Sequence, residues 1–373
     1  MINPSDRIAF LIAGYPTGGD TRVVLNLANQ FAAKNLAVDL IFADAANISG
    51  DRIPASIRTI DLQSPVTTRT LSAVKLLPKL IRYLWCEKPS VLVSNLVFTN
   101  AIVVLAKLLA FSSVKLVLVE HLALSKQSSI DAPQSRFILQ LMRVFYPQAD
   151  AIVSVSAQMA KQLQTELHLD RNLIVIHNPV VDLALHRQAQ AALNHVWLQP
   201  HQPPVFLGVG RFSVQKDFET LIRAFALLRN QMSARLIILG EGAQRGHLEA
   251  LIQALGIKAD VQLPGFVSNP YAYMSRAATF VLSSRWEALP TVLIEAMACG
   301  CQLVATDCPF GAREILNNGE VGQLVAIADS IALAQAMARS LQTPLDREIL
   351  QHRANEFSVD RAASAYFELI DRL

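Results

Sequence analysis

The 373-residue sequence predicts an α/β protein built from two doubly wound, Rossmann-like domains. Three observations carry that expectation. Short β-rich apolar runs alternate with helical stretches from end to end. The alternation breaks once, in a polar stretch, and then restarts. The densest polar motifs follow strands and precede helices. Such β-α-β alternation implies parallel sheets covered on both faces, because right-handed crossovers place the helices there.

In the first half, strands are expected at Ile8–Ala13, Ala37–Phe42, Val91–Ser94, Lys115–Val119, Ala151–Val155 and Leu173–Ile176. Helices at Asp20–Lys34, Thr99–Phe111, Ala132–Phe145 and Ala157–Leu167 fall between them. Val91–Val119 is apolar enough to mimic a membrane span, but Asn95, Asn100, Lys107 and Lys115 interrupt it, and strand–helix–strand is the better reading. The polar, Gln- and Pro-containing stretch His186–Pro204, opened by Asn178-Pro179, is the expected linker. Beyond it, strands at Val205–Val209, Arg235–Leu239, Val261–Leu263, Thr279–Leu282, Gln302–Ala305 and Gly322–Val325 alternate with helices such as Phe218–Asn230 and Arg245–Leu255. The chain is helical after Thr343.

Composition narrows the class. A 52% hydrophobic and 17% charged chain buries a core and is not disordered. Its length suits two domains. Cys86, Cys299, Cys301 and Cys308 form no CxxC pair, so idle thiols in a reducing compartment are expected. Met1–Ile12 lacks the basic and apolar regions of a signal peptide, which makes the cytoplasm the expected location. Up to Val180 there are 17 Lys+Arg against 12 Asp+Glu; the remainder has 16 against 18. A basic first half beside a mildly acidic second half suggests different partners for the two domains, with no nucleic acid among them.

The chemistry concentrates in Ser284–Thr306. A strand ends near Ser283, Glu287 lies in the following loop, and Pro290 stands where a first helical turn is expected. The backbone N–H groups of Leu289, Thr291 and Val292 would be free there to meet an anion. Glu295 lies five residues past Pro290, roughly 7–8 Å along the axis, and leans back towards the same crevice. Two carboxylates flanking a diphosphate-binding helix start suit a nucleotide sugar. They also fit a glycosidase pair, but a neutral glycoside needs no phosphate cradle.

A second motif, Gly208-Val-Gly210-Arg211-Phe-Ser-Val-Gln-Lys216-Asp217, closes a buried strand. Gly210 gives close backbone access. Arg211 and Lys216 could hold a diphosphate whose charge grows as it departs, and Asp217 is the expected N-cap of the next helix. Gly240-Glu-Gly242-Ala-Gln-Arg-Gly246, with Asp260 further on, resembles a dinucleotide fingerprint with one residue too many. It keeps a NAD-linked oxidoreductase open as an alternative. In the first half, Gly18-Gly19 forms a glycine turn after the first strand, and Glu120-His121 ends another strand. Arg69–Lys88 intersperses Arg69, Lys75, Lys79, Arg82 and Lys88 with apolar residues, a pattern that suits peripheral contact with an anionic membrane.

Gly208–Lys216, Leu239–Gly242, Pro264-Gly265-Phe266-Val267 and the E-x7-E spacing of Glu287 and Glu295, in this order, resemble glycosyltransferase family 4. The resemblance covers most of the chain and is strongest over Val205–Val325. Thr306-Asp-Cys-Pro-Phe-Gly-Ala-Arg-Glu-Ile-Leu is similar to bacterial members that build polysaccharides or glycolipids.

The resemblance implies a GT-B fold: an acceptor domain over 1–180, a nucleotide-sugar domain over 181–355, and a closing helix over 356–373 that returns to the first domain. It implies a retaining transferase of hexosyl type, acting from a nucleotide sugar, with uridine as the expected base, on a glycan or lipid-linked acceptor. A sugar-nucleotide epimerase is the alternative that shares this layout. Arg211 and Lys216 would hold the diphosphate. Glu287 and the backbone at Leu289, Pro290 and Thr291 would hold the sugar, and Glu295 the ribose. Gly265, Phe266 and Val267 would line the base; His121 would face the sugar, and Gly18 and Gly19 the diphosphate and acceptor. Gly210 and Gly242 belong to the same donor set. Ala288 stands where the family commonly has glycine, Asp20-Thr21 where Ala-Glu is commoner, and Leu122 where a polar residue is frequent. No DxD spacing occurs, so no metal or other cofactor is expected.

Overall fold

The computed structural model describes residues 6–13, 19–45, 53–64, 74–121, 132–169 and 172–373. The chain divides into two compact units: Met1–Pro179 with Val359–Leu373, and Val180–Ser358.

The first unit is built on strands β1 (Arg7–Ile12), β2 (Ala37–Phe42), β3 (Arg58–Asp61), β4 (Val91–Asn95), β5 (Lys115–Glu120), β6 (Ala151–Ser154) and β7 (Leu173–Val175), in the order β3-β2-β1-β4-β5-β6-β7. All pairings are parallel. The second unit holds β8 (Val205–Val209), β9 (Arg235–Leu239), β10 (Val261–Gly265), β11 (Thr279–Leu282), β12 (Gln302–Thr306) and β13 (Gln323–Val325), ordered β10-β9-β8-β11-β12-β13. Strand order reverses between β1 and β4 and between β8 and β11. These are the switch points beyond whose carboxyl ends a doubly wound sheet forms its ligand crevice. Burial explains the strand sequences: β1, β4 and β11 are enclosed on both faces and read as continuous apolar runs instead of alternating ones.

The Val91–Val119 segment is strand, helix and strand, as expected. Its helix, Val97–Leu109, starts two residues earlier than anticipated and stops short of Phe111, which sits past the end at φ +49°. Among the described residues no helix is long and apolar enough to cross a membrane.

The linker expectation needs correcting. His186–Pro204 lies inside the second unit, with a helix at Leu183–Ala189 and a 3-10 turn at Val196–Leu198. Its backbone carbonyls and the His195 ring are bonded to the sheet's periphery. Ser275 Oγ donates to the Ala189 carbonyl (2.7 Å), Asn269 Nδ2 to that of Gln188 (2.8 Å), and His195 Nε2 lies 3.0 Å from Gln262 Oε1. The chain instead changes unit at Pro179–Val180. It changes back beside that point, where Val180 N and Val181 N both donate to the Phe357 carbonyl (3.0 and 3.1 Å).

The closing helix, Val359–Asp371, packs in the first unit against Gly19–Ala33. Phe31 and Phe367 stack with centroids 4.0 Å apart, and Lys34 Nζ lies 3.7 Å over the Phe367 ring.

The Arg69–Lys88 reading also changes. Arg69 and Leu71 lie outside the described residues, and the helix runs Leu77–Glu87. Leu80, Tyr83 and Leu84 are buried against the core, while Val74 and Trp85 stay exposed. Lys79 Nζ donates to the Leu62 and Gln63 carbonyls beyond β3. The edge strand β3, half-polar and mostly exposed, gave no alternation to read.

What holds β3 in place is Asp39 on β2. Its fully buried carboxylate accepts from Arg58 Nε (2.9 Å) and Nη2 (2.6 Å), Arg7 Nη1 (2.9 Å) and the Tyr83 hydroxyl (2.7 Å). Burial works to raise the Asp39 pKa, but the bonds from Arg58 and Tyr83 outweigh it and leave it below the usual carboxylate range. This contribution is therefore complete above the unfolded carboxylate value, near 3.9, and disappears as pH falls through the lower folded value. Asp39→Asn is expected to cost about 2–4 kcal/mol at pH 7. Urea unfolding should show that gap narrowing as pH falls below the ordinary carboxylate range; a gap that stays constant would mean that the charge contributes nothing.

Candidate active site

The loops at the carboxyl ends of β8, β9 and β10 are tied to one another. Gly210 N donates to the Leu239 carbonyl (2.9 Å), Phe212 N to that of Glu241 (2.8 Å), and Gly240 N to that of Gly265 (2.9 Å). This closeness explains the glycines. A Cβ on Gly240 would lie 1.9 Å from the Gly210 oxygen, and one on Gly242 would lie 2.4 Å from that of Phe212. Gly246 faces open space. Asp260 precedes β10, at the amino end of the sheet, paired with Arg229 (2.8 Å) and Arg235. The apparent dinucleotide fingerprint is therefore loop packing plus an unrelated ion pair, and it lends no support to the NAD-linked alternative.

Across the switch point, the β8 loop meets the β11 loop. Lys216 Nζ lies 2.6 Å from Glu287 Oε1, and Ser284 Oγ donates to the same oxygen at 2.7 Å. Both partners of the ion pair are largely buried. The backbones are stitched as well: Arg285 N donates to the Gln215 carbonyl (2.8 Å), Gln215 Nε2 to that of Trp286 (3.0 Å), and Ser283 Oγ to that of Lys216 (2.8 Å). Asp217 caps the helix Phe218–Arg229 as expected, accepting from Thr220 N (3.4 Å), and also holds Arg285 Nε at 2.9 Å. It does so at φ +46°, a conformation that Asp tolerates better than most residues.

The helix after β11 runs Thr291–Ala298, starting one position later than the sequence suggested, with Pro290 as its N-cap. Thr291 and Val292 open the helix there, next to the Glu287 loop. Leu289 and Pro290 are buried beside them. Glu295 is buried on this helix and accepts from the Tyr271 hydroxyl at 3.2 Å. Burial first, then the neighbouring carboxylates Glu295 and Glu287, push the Cys299 and Cys308 thiols up to about 12, which makes them poor nucleophiles.

Among the expected site residues, the structure brings Gly210, Lys216, Glu287 and the start of the Thr291 helix to one end of the second sheet. Arg211 is exposed at the tip of the β8 loop, Phe266 is exposed beyond β10, and Val267 is half-buried beside it. His121 and Gly19 belong to the first unit. His121 directly follows β5, and Gly19 opens the helix after β1. Gly18 and Leu122 lie outside the described residues. Behind His121, the fully buried Glu120 carboxylate accepts from the Tyr146 hydroxyl. Asn100 Nδ2 donates to that hydroxyl (3.1 Å) and to the Val119 carbonyl (3.2 Å). Burial and the Glu120 charge raise the Tyr146 pKa well above its usual value. Sequence reasoning missed Ser284, Tyr271, Arg285 and Tyr146; only Ser284, three residues before Glu287, carried a local signal.

Two family models match, one for each unit. "Glycosyltransferase Family 4" covers residues 17–183 and "Glycosyl transferases group 1" covers residues 190–357. The chain belongs to glycosyltransferase family 4. This glycosyltransferase is 29% identical, over 93% of both chains, to the N-acetylgalactosamine-N,N'-diacetylbacillosaminyl-diphospho-undecaprenol 4-alpha-N-acetylgalactosaminyltransferase of Campylobacter jejuni. A second C. jejuni enzyme, a GalNAc-alpha-(1->4)-GalNAc-alpha-(1->3)-diNAcBac-PP-undecaprenol alpha-1,4-N-acetyl-D-galactosaminyltransferase, is 26% identical over 98% of both. Sucrose-phosphate synthase from Thermosynechococcus elongatus superposes with a TM-score of 0.83 at 24% identity, over 98% of each chain. Anabaena HepE in complex with UDP-glucose superposes at 0.80 and 19%, over 98% of this chain and all of that one. The fold is GT-B.

A glycosyltransferase that needs Gly240 for loop packing should respond differently at the two ends of the glycine run. Gly240→Ala is expected to lower the melting temperature by several degrees, because a Cβ there meets backbone. Gly246→Ala should leave it nearly unchanged. Equal damage at both positions would restore the fingerprint reading.

Proposed function

We propose that this glycosyltransferase moves a hexosyl unit from a uridine diphosphate sugar, with retention, to a hydroxyl of a lipid-linked glycan. The observation that carries the reading is Glu287, pinned by Lys216 and Ser284 directly ahead of a helix N-terminus at the switch point of the second sheet. The carboxylate suits the sugar hydroxyls. Lys216, the exposed Arg211 and the helix start suit the diphosphate. Glu295, on the same helix, suits the ribose, and Gly265 to Val267 the base.

Retention then follows from same-face attack. The acceptor hydroxyl bonds to the anomeric carbon as the bond to the diphosphate breaks, and the departing phosphate oxygen takes the hydroxyl proton. Neither carboxylate is placed as an idle nucleophile, since Glu287 is engaged by Lys216 and Ser284 and Glu295 by Tyr271. Arg211, Lys216 and the helix start would balance the growing negative charge, so no divalent cation is needed. Uridine is supported by HepE, whose structures hold UDP and UDP-glucose. A lipid-linked acceptor is supported by the undecaprenol-bound substrates in the names of the C. jejuni enzymes. Acting on such an acceptor, the protein would work at the cytoplasmic face of a membrane, bound peripherally.

Thermal shift across nucleoside diphosphates, nucleotide sugars and NAD(P) tests the donor reading by mass action. UDP and one UDP-sugar are expected to stabilise the protein, and Glu295→Ala and Lys216→Ala to weaken that binding about tenfold or more. Each variant must be compared with its own ligand-free baseline, because losing Lys216 strands a buried carboxylate at a cost of about 3–5 kcal/mol. Stabilisation by NAD alone would overturn the reading. NMR of the product should show the donor's anomeric configuration, formed equally well in EDTA; inversion, or loss of activity in EDTA, would overturn the retaining or the metal-free part. Conversion of the sugar nucleotide without acceptor would point to an epimerase.

A further inference from the structure

Three helices pack side by side in the first unit: Leu77–Glu87 against Val97–Leu109, and Val97–Leu109 against Ala132–Phe145. Their outer surface is unlike the rest of the molecule. Trp85, Leu108, Leu109, Phe137 and Val144 are each about half exposed or more, and Phe111 is 95% exposed. In the second unit the exposed large apolar residues are spread singly along its sequence. Helix Val97–Leu109 buries Val97, Ala101, Val104 and others yet stays apolar outward through Phe98, Ile102 and Leu105, all half-buried. A helix apolar on both sides calls for a second covering.

The helix end sharpens the point. Phe111 holds the left-handed turn after the helix, where glycine is the favoured residue, with its N–H on the Leu108 carbonyl (3.2 Å). A large ring in a strained conformation, turned wholly to water, is poor for stability alone. Trp85 lies next to it, its indole N–H donating to the Ala110 carbonyl (2.9 Å) while more than half of the residue stays exposed. An amphipathic ring with its polar atom satisfied and its body outward is suited to a membrane interface.

Charge selects the occupant. Lys75, Arg82, Lys88, Arg136 and Arg143 stand on or beside these helices, and Glu87 is the sole acidic residue in 74–111 and 132–145. The Glu87 charge is already met by Arg58 at 2.6 Å. A two-fold dimer through this face would set cation against cation. A surface of anionic lipid headgroups over acyl chains meets both the cations and the apolar rings.

We infer that this three-helix face, centred on Trp85, Leu109 and Phe111, docks the protein onto an anionic bilayer. The inference deepens the lipid-linked acceptor reading, but its test needs no sugar transfer. The full chain is sedimented with phosphatidylglycerol or phosphatidylcholine vesicles at low and high salt, while the blue shift of tryptophan emission is followed. Binding is expected on phosphatidylglycerol only, and weakened by salt. Arg82→Glu with Lys88→Glu should weaken it tenfold or more, since each cation near an anionic surface contributes about fivefold. Leu109→Asp with Phe111→Asp should abolish it, and Trp85→Phe should remove the blue shift. All variants should keep UDP-sugar stabilisation, each measured from its own ligand-free melting temperature, because the altered side chains lie outside the donor site; Trp85→Phe, which loses the bond to the Ala110 carbonyl, is expected to melt slightly lower. No binding to anionic vesicles at low salt would overturn the inference. So would binding that the variants leave intact, or a concentration-dependent dimer that Leu109→Asp with Phe111→Asp dissolves. Vesicle binding as expected without stabilisation by any UDP-sugar would leave the face standing and remove the donor reading instead.

Discussion

A carboxylate that water barely reaches needs a cation, and Glu287 has Lys216 at 2.6 Å. Most of the second unit's carboxyl-end architecture serves that pair. The β8 loop that carries Lys216 is stitched to the β11 loop through Gln215, Ser283 and Arg285, and Arg285 in turn is held by Asp217. The β9 loop is glycine at 240 and 242 because it must lie against the β8 loop's backbone. Separate either loop and a buried charge is stranded, which is costlier than losing an ordinary contact. The site is therefore set by the fold before any ligand arrives.

This preorganisation has a chemical consequence. The Lys216 ammonium carries three donors, and the Glu287 bond uses one of them. A diphosphate arriving at the Thr291 helix start finds a cation already positioned with donors to spare. The same carboxylate that fixes the cation retains a second oxygen for a hydroxyl. Under the proposed function, ion pair and ligand contacts add to each other instead of competing.

How much of this could be read beforehand depends on the distance over which each signal acts. The Asp217 cap, the Thr291 helix and the alternating strands are local, fixed by propensities within a few residues, and the sequence showed them to within one or two positions. The Lys216–Glu287 bond spans 71 residues, so sequence showed both partners without showing that they meet. Tyr271 and Tyr146 were missed for a related reason: an aromatic residue in an apolar run looks like core until its hydroxyl partner is placed. His186–Pro204 misled because its polar composition suggested a linker, whereas its Ala189 carbonyl accepts from Ser275 and Arg276 and its His195 ring meets Gln262, all within one unit. The glycine run at 240 misled because close approach to phosphate and close approach to backbone demand the same residue. Only the neighbour distinguishes them, and here it is Gly210 and Phe212.

The same logic bears on Ala288, which occupies a position where the family commonly has glycine. Its backbone is not in the left-handed region, so no conformational need for glycine exists there. The segment is instead clamped from the β12 side: Glu287 N donates to the Pro309 carbonyl (3.3 Å), and Gly311 lies so close that a Cβ would come 2.7 Å from Pro290 Cδ and 2.9 Å from the Ala288 oxygen. Gly311 is at φ +80°, where a side chain would also be strained. The residue that must be glycine is thus the one that presses on the Glu287–Pro290 turn from behind, and the turn itself can carry a methyl. With the backbone held from that side, the Ala288 methyl costs the fold little, and what it changes is the shape offered to whatever lies in front of Glu287.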